Sequence, residues 1–404
     1  LFGTGSLLLG AQAAPTRDGT RHPLIVFHRT FGAGQSMKKF WVSWVAVVAA
    51  LGATVGNVFA DEEKILNVYN WSDYIAEDTL QKFTKETGIK VVYDVFDSND
   101  TLEAKLLAGN TGYDIVVPSL NFLGRQVQAG VFMPLDKTKL PNAKNLDPAL
   151  MARIATNDPG NAHAIPYLMG TTGIGFNVKK VKEILGPNVP LDSWDLILKP
   201  ENIAKLSKCG VSMLDTPAEV IPTVLNYLGE KPNGFDPALI QGKAQELLKK
   251  LRPSVRYFHS SQYINDLANG DICIALGWAG DVLQAKRRAE EAKNGIEIAY
   301  IIPKEGAGIF FDMLAIPKDA KHPQNALKFI NFLMRPEIIA DISNFVSYAN
   351  AVPASKPLLD KSVRDNPGVY PSAETEKHLF TFAVVPPKID RIYTRVWTAV
   401  KTGK

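Results

Sequence analysis

Carboxylates that stand beside aromatic rings are the feature of this chain with chemistry in it. Trp71-Ser72-Asp73-Tyr74 follows one strand-like run, Trp278-Ala279-Gly280-Asp281 follows another, and Phe310-Phe311-Asp312 opens a third. A fourth carboxylate, Glu219, comes shortly after Asp215-Thr216-Pro217. These residue types suit a flexible alkyl chain with a positive charge at each end. Carboxylates hold ammonium groups by charge-assisted hydrogen bonds, while aromatic faces cover the methylenes and attract the cationic ends. Most of these residues also have a plainer reading. Ser72 or Asp73 would cap a following helix, and Asp281 would do the same. Thr216-Pro217-Ala218-Glu219 has the spacing of a capping box with Pro at the first helical position. Trp71 and Trp278, taken alone, read as core residues. Asp312 differs, because Ile309-Phe310-Phe311-Asp312-Met313-Leu314-Ala315-Ile316 is otherwise apolar, and a carboxylate buried there without a cationic partner is costly.

Enzyme signatures are missing from the sequence. It has no GxSxG elbow, HExxH pair or phosphate-binding loop. Past residue 60 the histidines are His163, His259, His322 and His378, without paired ligand spacing. Asp97-Ser98-Asn99-Asp100 starts like a calcium loop but lacks Gly at the sixth and Glu at the twelfth position. Cys209 and Cys273 lack zinc-site spacing. Read from the residues, they are either a disulfide of an oxidising compartment or two buried thiols. No metal and no cofactor is expected.

These groups must be positioned by the elements around them. Ile65–Tyr69, Lys90–Tyr93 and Asp114–Val117 read as strands separated by helices over Asp78–Glu86 and from a capping-box pattern at Asp100-Thr101-Leu102-Glu103 to Gly109. Further strands are read over Gly173–Asn177, Ile272–Leu276, Glu297–Ile302 and Asp312–Ile316, and helices over Gln241–Leu251, Asp281–Asn294 and Gln324–Met334. Such alternation predicts βαβ units and a largely parallel sheet. In open sheets of that kind ligands lie beyond the carboxyl ends of the strands, where the aromatic and acidic clusters fall. From Ser343 onward irregular structure is expected, with Pro-containing pieces such as Val385-Pro386-Pro387.

The chain has 404 residues, which argues for more than one lobe. Met37-Lys38-Lys39, an apolar run from Phe40 to Leu51, and small residues ending at Ala60 follow the order of a secretory signal peptide, with cleavage expected after Ala60. The apolar run is shorter than the roughly 20 residues of a spanning helix. Residues 1–36 are read as an artefact upstream of the true start. The 45 basic and 41 acidic residues include Arg17, Arg21, Arg29, Lys38, Lys39 and Asp18 before residue 61, so the remainder is electrically balanced and no nucleic-acid partner is implied.

Several separated segments, in order, resemble one known family. They are Val68-Tyr69-Asn70-Trp71-Ser72-Asp73-Tyr74-Ile75, Gly112-Tyr113-Asp114-Ile115-Val116-Val117-Pro118-Ser119, Gly170-Thr171-Thr172-Gly173-Ile174-Gly175-Phe176-Asn177, Gly277-Trp278-Ala279-Gly280-Asp281 and Phe310-Phe311-Asp312. With them the chain beyond residue 60 resembles the periplasmic spermidine/putrescine-binding receptors of polyamine ABC importers. The resemblance implies an α/β, two-lobed type II periplasmic-binding-protein fold, each lobe a mostly parallel sheet flanked by helices. Lobe 1 is expected over 61–168 and 296–346, lobe 2 over 169–295 and 347–404. It implies ligand contacts from Trp71, Ser72, Asp73 and Ser119 in the first lobe, from Glu219, Trp278, Asp281 and Tyr348 across or around a cleft, and from Phe310 and Asp312 near the return crossing, with Ser260 as a further candidate. It also implies a disulfide between Cys209 and Cys273. The implied role is an exported, monomeric receptor that closes on putrescine or a related polyamine without chemistry and passes it to an inner-membrane ABC permease. A spermidine-preferring receptor and a carboxylate-based hydrolase on the same fold are the alternatives. Asn121, Phe122 and Thr216 are expected to line the cleft and differ between receptors.

Overall fold

The computed structural model describes residues 62–403. The upstream stretch 1–36, the signal segment 37–60 and the cut after Ala60 lie outside the described residues. Among the described residues no helix is long and apolar enough to cross a membrane.

Among the described residues eleven strands form the frame: β1 (Ile65–Trp71), β2 (Lys90–Phe96), β3 (Ile115–Val116), β4 (Ala164–Asn177), β5 (Val211–Met213), β6 (Tyr257–Phe258), β7 (Ile274–Trp278), β8 (Ile298–Ile301), β9 (Ala307–Ala315), β10 (Ala349–Asn350) and β11 (Leu379–Thr381). Their order is β2-β1-β3-β9-β4-β7-β5-β6, with β8 and β10 added on β4 and β11 on β9. Two parallel groups result, β2-β1-β3 and β7-β5-β6. Their strands are joined by helical crossovers, as parallel neighbours require.

Each group is parallel within itself, and the sheet that joins them is mixed. The chain leaves the first group along β4 and returns along β9, so the two crossings run in opposite directions and pair antiparallel, from Ala164↔Ala315 to Thr171↔Ile309. β4 is shared between the groups. Its first half pairs with β9, and its second half, Thr172–Phe176, pairs with β7. β8 pairs with the second half of β4, Ile174↔Ile301 to Asn177↔Ile298, so the return to the first group begins with β9.

Local chemistry accounts for most element ends. The helix Thr79–Thr87 stops at Gly88, whose φ of 71° is the left-handed value that favours glycine. The helix Asn99–Ala108 is capped by Ser98, whose hydroxyl accepts from the Thr101 amide, so the cap precedes the Asp100–Glu103 box read from the sequence. Glu103 instead accepts from the Arg125 guanidinium at 2.6 Å. The region after Ser343 is more regular than its prolines suggest. Pro387 is the first residue of the helix Pro387–Thr402, where a missing N–H costs nothing. Its buried stripe is Ile389, Ile392, Tyr393, Val396, Trp397 and Val400.

Cys209 and Cys273 form a disulfide with Cα atoms 5.5 Å apart. It joins the chain just ahead of β5 to the chain just ahead of β7, which are parallel neighbours with Val211 opposite Ile274.

Candidate ligand-binding site

The carboxyl ends of the parallel strands converge on one cavity. Trp71 is the last residue of β1 and Trp278 the last of β7, and both line it. Ser119 follows β3 and forms a bridge with Asp312 of β9. Glu219 comes from the helix Pro217–Tyr227 after β5, Asp281 from the first turn of the helix Ala279–Ala292, and Tyr348 from the turn after the helix Pro336–Val346. Both strand groups therefore supply walls.

Three carboxylates are buried in this wall: Asp312, Asp281 and Glu219 are 4%, 5% and 6% exposed. Asp312 accepts from the Ser119 hydroxyl at 2.6 Å and the Tyr74 hydroxyl at 2.7 Å. Asp281 accepts from the Tyr348 hydroxyl at 2.7 Å and the Tyr263 hydroxyl at 2.8 Å. Glu219 Oε2 accepts from the Thr172 hydroxyl at 2.6 Å and the Trp278 indole N–H at 2.9 Å. Every one of these donors is neutral, and no lysine, arginine or histidine among the described residues forms an ion pair with the three carboxylates.

The electrostatic consequence follows from burial. Desolvation pushes the Asp281 carboxyl up to about 7, against the pull of the Tyr348 and Tyr263 hydroxyls. It pushes Asp312 up to about 7 as well, with the nearby Glu219 and Asp281 charges adding to the rise. Glu219 is raised by burial, and its bonds to Thr172 and Trp278 oppose that rise. The Arg288 charge also acts on Asp281 from a distance, without an ion pair, and a pair of ammonium groups in the cavity would supply opposite charge at contact.

Aromatic rings fill the space between these groups. Trp71 meets Trp278 edge-on at 5.6 Å between centroids. Trp278 meets Phe310 at 6.3 Å, Phe310 meets Tyr348 at 6.1 Å, and Tyr348 meets Tyr74 at 5.0 Å. The Trp71 indole is held by its N–H donating to the Val117 carbonyl at 2.9 Å. Gly280 makes room for Tyr348, since a Cβ there would stand 2.2 Å from the tyrosine ring.

Of the residues expected from the sequence, Trp71, Ser72, Ser119, Glu219, Trp278, Asp281, Phe310, Asp312 and Tyr348 line the cavity, and so does Ser260. Asp73 does not. It has a positive φ of 54°, and its carboxylate accepts from the Arg288 guanidinium at 2.7 Å on the outside. Asn121, Phe122 and Thr216 do not line it either. Phe122 lies instead under the Arg125 guanidinium, 4.3 Å from its ring centroid. The capping readings also give way. Thr216 makes no side-chain cap bond, and Glu219 spends its Oε2 on Thr172 and Trp278. Asp281 faces two tyrosines and does not cap its helix.

Sequence reasoning missed Tyr74, Phe96, Asp97 and Ser261 in the lining, and Tyr263 and Thr172 behind it. Tyr74 was within reach, since it adjoins the Trp71-Ser72-Asp73 cluster. Tyr263 carries no local sign, because its partner Asp281 lies 18 residues away across a helix and a strand.

Comparison with known proteins follows the same lines. A family model described as bacterial extracellular solute-binding protein matches residues 78–371. The chain is 60% identical over 369 residues to the putrescine-binding periplasmic protein PotF of Escherichia coli (strain K12), covering 91% of this chain and 100% of that one. It is 58% identical over 368 residues to the putrescine-binding periplasmic protein SpuD of Pseudomonas aeruginosa (strain UCBPP-PA14), with 91% and 100% covered. Among solved structures, the spermidine/putrescine ABC transporter substrate-binding protein PotD of Streptococcus pneumoniae superposes with a TM-score of 0.68 at 29% identity, covering 84% of this chain and 99% of that one.

Proposed function

The chain belongs to the bacterial extracellular solute-binding protein family, and on that premise we propose that it is a periplasmic receptor for putrescine or a closely related polyamine, serving an ABC importer. One observation carries the choice of ligand. Three buried carboxylates face one aromatic cavity, each held by two neutral donors and, among the described residues, by no ion pair. An alkyl diamine supplies what this arrangement lacks, a positive charge at each end and methylenes for the rings between.

Asp281 and Asp312 are the principal ammonium partners in this reading, and Trp71, Trp278, Phe310 and Tyr348 enclose the alkyl chain. Ser72, Ser119 and Glu219 assist. Asp73, turned out to Arg288, lies outside the cavity. The two lobes, the first built around β1–β3 and the second around β5–β7, close on the ligand because only the closed form makes contacts from both. The receptor performs no chemistry, works as a monomer, and hands its ligand to a permease in the inner membrane. Export depends on the segment 37–60, removed after Ala60, which N-terminal sequencing of periplasmic protein checks.

Calorimetric titration of ligand-stripped protein with putrescine tests the central claim. Saturable one-to-one binding, lost in Asp312→Ala, is the expected result. No heat of binding with putrescine or any other polyamine would end it.

A further inference from the structure

The cavity carries a fourth carboxylate that a diamine does not require. Asp97 follows Phe96 at the end of β2 and lines the same cavity as Ser72 and Ser261. It differs from the three buried carboxylates in two ways. Its side chain is 43% exposed, which places it at the rim. No donor among the described residues reaches its carboxylate at hydrogen-bond distance. Its neighbour is His259, whose Nε2 stands 3.9 Å from Asp97 Oδ2, longer than a hydrogen bond. His259 comes from the second strand group, and its Nδ1 accepts from the amides of Ser261 and Gln262 at 3.1 Å each. The ring proton therefore sits on Nε2, turned toward Asp97.

We propose that Asp97 is a specificity-determining residue of this site, the rim carboxylate that receives the third ammonium of a triamine while the buried pair, Asp281 and Asp312, receives the other two. The inference rests on the polyamine reading above and adds to it how the site counts charges. His259 faces Asp97 from across the rim and competes for it.

The test compares the wild-type chain with Asp97→Asn and His259→Lys, each titrated calorimetrically with putrescine and with spermidine. Asp97→Asn removes one charge-assisted contact from the triamine alone. Spermidine affinity is expected to fall about tenfold or more while putrescine affinity changes less than about threefold. His259→Lys leaves Asp97 in place and sets a fixed cation against it, so it should produce the same selective loss and guards against a folding defect in the first variant. Equal losses for both amines, no loss for either, or wild-type protein that binds putrescine and not spermidine would overturn the proposal. If wild-type protein binds neither amine, the polyamine reading fails with it.

Discussion

Lowering the pH from 8 to 6 is expected to weaken putrescine binding by roughly tenfold for each cavity carboxylate that must give up a proton. Asp281 and Asp312 both titrate at about 7 in the cavity, because burial disfavours their charged forms. The bound diamine needs both as carboxylates. At pH 8 each is about nine-tenths ionised, and at pH 6 only about one-tenth, so affinity falls about tenfold if one must ionise and about a hundredfold if both must. The released protons are measurable. Titration in two buffers of different ionisation heat should show between one and two protons leaving per putrescine near pH 6, and close to none at pH 8. Ligand-free stability runs the opposite way. A carboxyl raised above its unfolded value of 3.8 binds more protons folded than unfolded, so its contribution is present below about pH 4 and is lost as the pH rises through about 7. The rise in melting temperature on adding putrescine should therefore be larger at pH 8 than at pH 6. An affinity that stays within about threefold across this range, with no buffer-dependent heat, would refute the argument.

Other consequences are equally direct. Asp312→Asn keeps the shape but removes the charge that meets an ammonium. Putrescine affinity should drop by about a hundredfold or more by calorimetry, while the ligand-free melting temperature at pH 8 holds or rises, because a buried charge is gone. Gly280→Ala places a methyl against the Tyr348 ring, which must shift. About 1–3 kcal/mol of stability should be lost in urea unfolding, together with a clear loss of affinity, since Tyr348 also holds Asp281. Replacing Cys209 and Cys273 by serine opens a loop of 64 residues and should cost about 4 kcal/mol of stability. The putrescine affinity of that variant should stay near wild type, because the bridge sits at the starts of β5 and β7 and the site lies at the other ends of the strands.

Much of the local structure was legible in the sequence because its causes are local. Gly88 ends a helix in the conformation its type favours. The helices Asp281–Asn294 and Gln324–Met334 were read within two residues of the observed Ala279–Ala292 and Pro323–Leu333. The C-terminal helix has an equally local signal in the spacing of Ile389, Ile392, Tyr393, Val396, Trp397 and Val400, which Pro386 and Pro387 mask. A proline ends a helix from inside but starts one at its first position.

The amino-acid order by itself determined that carboxylates stand next to aromatic rings at the ends of strands, and that Asp312 lies in an apolar run. It did not determine which carboxylates face inward. Asp73 and Asp97 both follow an aromatic residue closely, yet Asp73 turns out to Arg288, 215 positions away, and Asp97 lines the cavity. Glu219 has the spacing of a cap and becomes a wall residue because Thr172 and Trp278 reach it first. Tyr74 meets Asp312 across 238 positions. Backbone propensity acts over three or four residues, whereas a side chain's direction is settled by whichever partner the folded chain brings within about 3 Å. Only the crossing of β4 and β9 brings those partners together.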